Sequence, residues 1–386
     1  MKTGIATSET TFRQLWRNFP LRTGHVFFDV MLLAIPVALV LDFVLHTQPI
    51  WIFIAAAVAI LPLAAALGEA TEELAAHMGQ RIGGLLNATL GNATELIIAF
   101  FALRAGHVEI VKASLSGSII GNTLLVLGAA VLVGGIGRER QTFSRRDAGV
   151  NSTMLFIAVV ALVMPAMFDL AVYGRLEQTG ETIERLSLGA AIILVLVYLA
   201  SLLFTFGPNP AAAPMHEPPG EVHGAGVRSK KSALIALLVT TAFIALLSEI
   251  LVAQIEHVKQ ALGWSDLFLG VIVVALVGNA AEHSTAIFVA RRNKMDLALN
   301  IAAGSSSQIA LLIAPLLVFI SWGMGTPMSL VFTAMEITGI ALSVLILEMI
   351  ASDGETTWFE GLELLAVYLI LAVAFYYVPM NSAAGR

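Results

Sequence analysis

The sequence contains no cysteine. That excludes disulfide cross-links, thiol catalysis and zinc–thiolate sites. Charge is scarce as well: 12% of the 386 residues are Asp, Glu, Lys or Arg, against 58% hydrophobic and a mean hydropathy of +0.87. So little charge over this length excludes a pair of soluble domains and fits a polytopic membrane protein, most of whose surface faces lipid. The net charge of −6 then says little about partners, and no nucleic-acid partner is expected. No cleavable signal peptide is expected either, because residues 1–25 are polar and the first apolar run is of full spanning length.

Apolar runs near the ~20-residue bilayer span are plentiful. They lie at 26–45, 50–67, 82–103, 110–136, 149–169, 187–206, 232–253, 267–290, 297–322, 328–351 and 358–378. The fold class read from them is an all-α polytopic membrane protein with 11 transmembrane helices, kinked at Pro36, Pro62, Pro165 and Pro315. With the N-terminus cytoplasmic, fifteen of the twenty-one basic residues fall on one side, including Arg138, Arg140, Arg145, Arg146, Arg291, Arg292 and Lys294. The C-terminus then faces out.

One of these runs is polar at its centre. Gly83-Gly84-Leu85-Leu86-Asn87-Ala88-Thr89-Leu90-Gly91-Asn92-Ala93-Thr94-Glu95 places Asn87, Gly91 and Glu95 at i, i+4 and i+8, with Asn92 three residues before the glutamate. A carboxylate in that position costs roughly 2.5–3.5 kcal/mol on insertion scales, so it calls for a partner or a purpose. Shifting the sequence by 187 positions superposes Gly91-Asn92-Ala93-Thr94-Glu95 on Gly278-Asn279-Ala280-Ala281-Glu282. The register continues without a gap: Phe101 meets Phe288, Arg104 meets Arg291, Glu109 meets Asp296, Gly117-Ser118 meets Gly304-Ser305, and Leu124-Leu125 meets Leu311-Leu312. This is an internal duplication. The two motifs lie five spans apart, and an odd number of spans inverts the direction of the second copy.

Inverted repeats place a shared site at the bilayer midplane and support alternating access. The organisation read from the sequence is a cytoplasmic segment 1–25, one N-terminal helix at 26–48, and a first five-helix repeat over 49–206. A flexible cytoplasmic linker at 207–231, a second, inverted five-helix repeat over 232–378 and a tail at 379–386 follow. The linker is rich in Pro, Gly and Ala, and its His216 and His223 lack any acidic or cysteine framework, so they read as solvated loop residues.

Glu95 and Glu282 are the expected cation ligands. Two carboxylates match the charge of one divalent ion, and without it repulsion and desolvation favour binding protons instead. A site alternating between a divalent cation and protons is the chemistry of an antiporter. Asn92 and Asn279 would add neutral oxygens, as would Asn87, although its repeat position holds Val274; calcium accepts six to eight such ligands in tolerant geometry. These amides serve interhelical hydrogen bonding in many membrane proteins, and that role stays open for them. Glu72 and Glu73, in the run Gly68-Glu69-Ala70-Thr71-Glu72-Glu73, stand at the cytoplasmic end of the second helix as an entrance for cations or a solvated face. His283 could relay protons or simply pack. Ser305, Ser306, Ser307 and Gln308 form a polar stripe opposite Ser114, Ser116, Gly117, Ser118 and Asn122, and Gln308 is read as lining the pathway.

Three stretches, GEATEELAAHMGQRIGGLLNATLGNATELIIAFFAL, SLSGSIIGNTLLVLG and GNAAEHSTAIFVARRNKMDLALNIAAGSSSQIALL, resemble the calcium/proton exchanger (CAX) family of the cation/calcium exchanger superfamily. The resemblance covers the chain after residue 25. It implies a proton-driven Ca²⁺ exporter whose ion is bound by Glu95 and Glu282, with roles for Asn87, Asn92, His283, Ser305, Ser306 and Gln308. It implies no cofactor; Ca²⁺ and H⁺ are substrates, the lipid bilayer is the partner, and the oligomeric state is open. A bacterial plasma membrane is the expected location. Family members often carry an acidic helix between the halves, whereas this linker has only Glu217 and Glu221. Three other functions fit less well: an Na⁺ or K⁺/H⁺ antiporter of the same fold, an intramembrane lipid-acting enzyme, and a passive channel, for which deep paired carboxylates bind too tightly. The enzyme reading lacks a nucleophile or phosphate-binding loop.

Overall fold

A computed structural model describes residues 26–174, 180–206 and 229–379. The N-terminal segment, the linker with His216 and His223, and the tail after residue 379 lie outside the described residues. Among the described residues nine helices, with Ile82–Arg104 counted as one across its short interruption, are long and apolar enough to cross a membrane, or ten when one bent pair is counted as a single span. The fold is all-helical and polytopic.

The elements run α1 (Val26–Met31), α2 (Ala34–Phe43), α3 (Pro49–Ala76), α4 (Gly79–Leu90) and α5 (Ala93–Arg104). They continue with α6 (Val108–Gly135), α7 (Arg145–Tyr173), α8 (Glu181–Phe206), α9 (Lys230–Ala253) and α10 (Ile255–Leu262). The last are α11 (Asp266–Gly278), α12 (Ala280–Arg291), α13 (Met295–Gly323), α14 (Ala334–Asp353) and α15 (Trp358–Tyr376). Two short strands, β1 (Gln141–Thr142) and β2 (Glu355–Thr356), pair antiparallel.

The apolar run 26–45 departs from expectation. It is interrupted after Met31, and neither α1 nor α2 has spanning length, which accounts for part of the difference from eleven spans. Pro36 lies in α2, Pro62 in α3 and Pro165 in α7, and Pro315 in α13 stands just after a π-helical stretch. Stretches of π-helix occupy Gly121–Val126 in α6, Leu269–Val274 in α11 and Ile309–Ile313 in α13. Those in α6 and α13 overlap when shifted by 187 residues, so the duplication is visible in the backbone as well as in the letters.

Contacts divide the described residues into two compact units, one of 26–94 with 229–254, the other of 95–174, 180–206 and 255–379. In the first unit α3 packs along α9. The buried stripe of α9 is Ala233, Ala236, Thr240, Ile244, Leu247 and Leu251, spaced three or four residues apart. Alanines let the helix approach closely, and dispersion contacts supply the attraction that water cannot supply within lipid. Thr240 returns its hydroxyl to Ala236 O at 2.6 Å, which satisfies it within its own helix.

In the second unit α6 is the central helix: 78% of its apolar window is buried, compared with 22% for α8 or α15. Glycines make this possible. A Cβ on Gly117 would stand 2.2 Å from Val271 O, and one on Gly361 would stand 2.4 Å from Leu132 N, so backbone meets backbone where α6 crosses α11 and α15. Helix starts are capped: Ser144 accepts from Asp147 N at 3.3 Å, and Thr333 with Glu336 closes a capping box on α14.

α10 is bent from α11 by 117°. Lys259 fixes the bend, reaching Glu256 at 3.0 Å and Asp266 at 2.7 Å. His107, in the loop before α6, is held below the ordinary imidazole value, chiefly by partial burial and next by the Lys259 ammonium.

Two outcomes follow from this packing. Gly117→Ala should lower the melting temperature measurably, by an overpacking cost of about 1–3 kcal/mol, because backbone cannot yield as a side chain can. Gly304→Ala, whose added methyl meets nothing within 4 Å, should leave it unchanged; thermal unfolding of the purified protein compares them. For His107, a folded value lower than the unfolded one means protonation favours the unfolded loop. Local stability is therefore full above pH ~6.5 and falls on acidification. NMR titration should find its midpoint below 6.5, and Lys259→Met should raise it.

Candidate cation site

The two Gly-Asn-x-x-Glu motifs do not lie on continuous helices. One helix stops at Leu90 and resumes at Ala93; the other stops at Gly278 and resumes at Ala280. The interruptions coincide under the 187-residue shift. At the second, Ala275 O accepts twice from Asn279, from Nδ2 at 2.9 Å and from the backbone N–H at 3.1 Å. Each break starts a new helix, and Glu95 and Glu282 both fall in its first turn. The partial positive charge there favours a carboxylate.

Glu95, Asn279 and Glu282 come together in the second unit. Glu95 is buried, and its Cγ would be 3.1 Å from a Cβ on Gly278, so the bare glycine leaves room for the side chain beside the opposite break. The carboxylates of Glu95 and Glu282 repel each other across this space. The Ser305 hydroxyl donates to Glu282. Among the described residues no basic side chain forms a salt bridge with either. Glu95 Oε2 and Glu282 Oε2 are shielded from solvent and have no hydrogen-bond partner, and Asn122 Oδ1 shares that condition.

Amides and hydroxyls link these groups. Asn279 Nδ2 also donates to Ser118 Oγ at 2.8 Å, and its Oδ1 accepts from Asn122 Nδ2 at 3.2 Å. The same Asn122 amide donates to Ser305 Oγ at 3.1 Å, so one network joins α6, the α11–α12 break and α13. Asn122 lies in the π-helical stretch of α6, a form often found at functional positions. Within the polar stripe it had no separate weight in the sequence; its place at this junction depends on the π-helical turn, which no local motif signals.

Other expected residues are placed differently. Asn92 is fully buried and Asn87 exposed, both in the first unit. Glu72 is exposed and Glu73 buried, also in the first unit, so the acidic run is neither wholly a solvated face nor wholly an open vestibule. His283 lines a narrow cleft with Ser118, Asn279 and Tyr368. Of the serine stripe only Ser305 joins the network: Ser306 and Ser307 return their hydroxyls to Ala302 O and Ala303 O at 2.9 Å. Gln308 is half-buried at the residue before the π-helical turn of α13. Ser116 faces away from the stripe and donates to Glu336 at 3.0 Å. Among the described residues no group of three or more His, Cys, Asp or Glu is disposed to hold a metal, so any cation here relies on two carboxylates with neutral oxygens.

Residues 48–207 and 232–377 match the sequence model of the sodium/calcium exchanger protein family. A Ca²⁺/H⁺ antiporter of Aphanothece halophytica is 44% identical over 95% of this chain and 100% of its own length. The Ca²⁺/H⁺ antiporter ChaA of Bacillus subtilis is 43% identical over 92% of this chain and 99% of its own length. Among solved structures, native YfkE superposes with a TM-score of 0.78 at 42% identity, covering 91% of this chain and 100% of that one.

The network gives a direct test of site geometry. Asn279→Ala removes the amide joining Ser118 and Asn122, and equilibrium Ca²⁺ binding should weaken by about 10-fold, the order expected when buried partners are left unsatisfied. Ser307→Ala, whose hydroxyl stays largely within its own helix, should bind like the native protein.

Proposed function

Since the chain belongs to the sodium/calcium exchanger protein family, and within it to the Ca²⁺/H⁺ antiporters, we propose that it moves Ca²⁺ against H⁺ by alternating access at the Glu95–Glu282 pair. It is a transporter and not an enzyme. The observation that carries the site assignment is the pair of unpartnered, solvent-shielded oxygens, one on each glutamate, held within each other's electrostatic reach. A divalent ion between them cancels the repulsion; protons do the same by neutralising the acids one at a time. The two occupancies are mutually exclusive, and that exclusion couples the two fluxes.

In this reading Asn279 supplies a neutral oxygen, Asn122 Oδ1 is a further donor, and Asn92 supports the first motif as Asn279 supports the second. Asn87, being exposed, has a weaker case as a ligand. Glu72 and Glu73 gather cations near the entrance, while His283 and Gln308 flank the route taken by protons. The finer architecture belongs to the same proposal: one N-terminal helix and two inverted five-helix repeats, 49–206 and 232–378, with the N-terminus in the cytoplasm of a bacterial cell. The matched helix breaks and the matched π-helical turns support the duplication. The excess of basic residues in one set of loops supports the orientation.

Reconstituted vesicles with an imposed pH gradient should accumulate ⁴⁵Ca²⁺, and an uncoupler should abolish it. Glu95→Gln and Glu282→Gln should each cut the rate by at least about 100-fold, the scale of losing one member of a buried charged set. Uptake that follows Na⁺ or K⁺ instead would reassign the ion. Full activity of both variants would remove the pair from the mechanism.

A further inference from the structure

A second buried charged cluster lies nearer the start of α6 than Ser118 and Asn122. Lys112 is only 2% exposed, one turn into the helix. Its ammonium stands 3.6 Å from Glu109, 3.2 Å from Val331 O and 3.5 Å from Ser329 Oγ. One turn further along, Ser116 donates to Glu336 at 3.0 Å, and the Lys112 and Glu336 charges attract. Glu336 is itself fully engaged, accepting from Thr333 N and Thr333 Oγ1, each at 2.8 Å.

What Lys112 holds is unusual. Residues 326–333 are neither helix nor strand, yet Met328, Leu330, Val331 and Phe332 are at most 2% exposed. Backbone without secondary structure is stable at such burial only where side chains satisfy its polar groups. They do: Ser321 Oγ accepts from Met328 N at 2.8 Å, Ser187 Oγ accepts from Leu330 N at 2.9 Å, Lys112 donates to Val331 O, and Glu336 takes Thr333 N. Ser187, Ser321, Lys112 and Glu336 all belong to the same unit as the strap.

The duplication gives this arrangement meaning. Glu109 and Val331 correspond, 187 positions away, to Asp296 and Ser144. In that half the acid touches the loop directly, Asp296 Oδ1 accepting from Ser144 N at 2.5 Å. In the other half a lysine is interposed between acid and loop. The interposed cation makes the contact reach further and joins it to a second helix through Glu336.

We propose that Lys112 is a positioning residue for transport: it seats the 326–333 strap and the start of α14 against α6, the helix that carries Ser118 and Asn122 into the cation network. This rests on the exchanger reading, in which α6 must part from its neighbours as access alternates. Lys112 then governs the rate of exchange without belonging to the ligand set. Removing its charge leaves Glu109 and Glu336 uncompensated and loosens the strap, while Asn279, Glu95 and Glu282 keep their own contacts.

The test uses the full chain, whose lack of cysteine permits single-cysteine labelling without background changes. Met328→Cys, fully buried in the seated strap, should resist a polar maleimide. Adding Lys112→Met should speed labelling by at least about tenfold, whereas Lys112→Arg, which keeps the charge, should not. In vesicles Lys112→Met should lower the maximal ⁴⁵Ca²⁺ rate at least about fivefold with half-saturation and equilibrium Ca²⁺ binding unchanged, and Lys112→Met with Glu336→Gln should recover part of that rate. If Lys112→Met fails to fold, Ser187→Ala frees one strap N–H without unpairing a charge, and the same labelling and rate comparison applies. Unchanged labelling and rate in the folded variants would overturn the proposal, as would a loss of equilibrium Ca²⁺ affinity matching the loss of rate. Glu95→Gln is the control: if it transports normally, the exchanger site has been misassigned whatever Lys112 does.

Discussion

Two carboxylates shielded from solvent, within each other's field and, among the described residues, with no salt bridge to a cationic side chain, cannot both stay charged and empty-handed. That constraint governs the rest of the molecule. Glu95 and Glu282 each begin a helix segment, where the backbone offers partial positive charge, and Gly278 lets one of them lie against the other's break. Asn279 stands at the second interruption, where its side-chain amide and its backbone N–H share Ala275 O.

The remaining polar network serves to keep those two acids where they are. Ser118, Asn122 and Ser305 connect the second break to α6 and α13, so the geometry of Glu282 depends on how α6 is held. α6 in turn depends on glycine contacts against α11 and α15 and on the Lys112–Glu336 seat. A helix attached on several sides moves only with its neighbours, as an exchanger requires if the site is to open on one face at a time.

Much of this was legible from the residues. Length and hydropathy point to a polytopic helical protein, and the 187-residue duplication singles out Glu95, Asn92, Glu282 and Asn279. Duplication is informative because it compares the chain with itself: what survives in both copies is what the fold uses twice. What the letters hid was conformational. The run 26–45 is as apolar as a span yet is broken after Met31, since hydropathy measures composition and not helix continuity. Ser306 and Ser305 are adjacent and chemically alike, but their hydroxyls point to a backbone carbonyl and a carboxylate respectively. Asn122 lies in a π-helical turn, which shifts the register that a 3.6-residue count would predict. The strap at 326–333 was swallowed by the apolar run 328–351, because its burial comes from side chains contributed by Ser187, Ser321 and Lys112 far along the chain.

The central claim is that a single pair of acids holds either Ca²⁺ or protons. Calorimetric titration of the purified protein with Ca²⁺ in two buffers of different ionisation enthalpy measures this most directly, because the difference in heat counts the protons released per ion bound. Exchange at Glu95 and Glu282 predicts net proton release near neutral pH, diminished when either glutamate is replaced by glutamine. Tight Ca²⁺ binding with the same heat in both buffers, and no change in the variants, would contradict it.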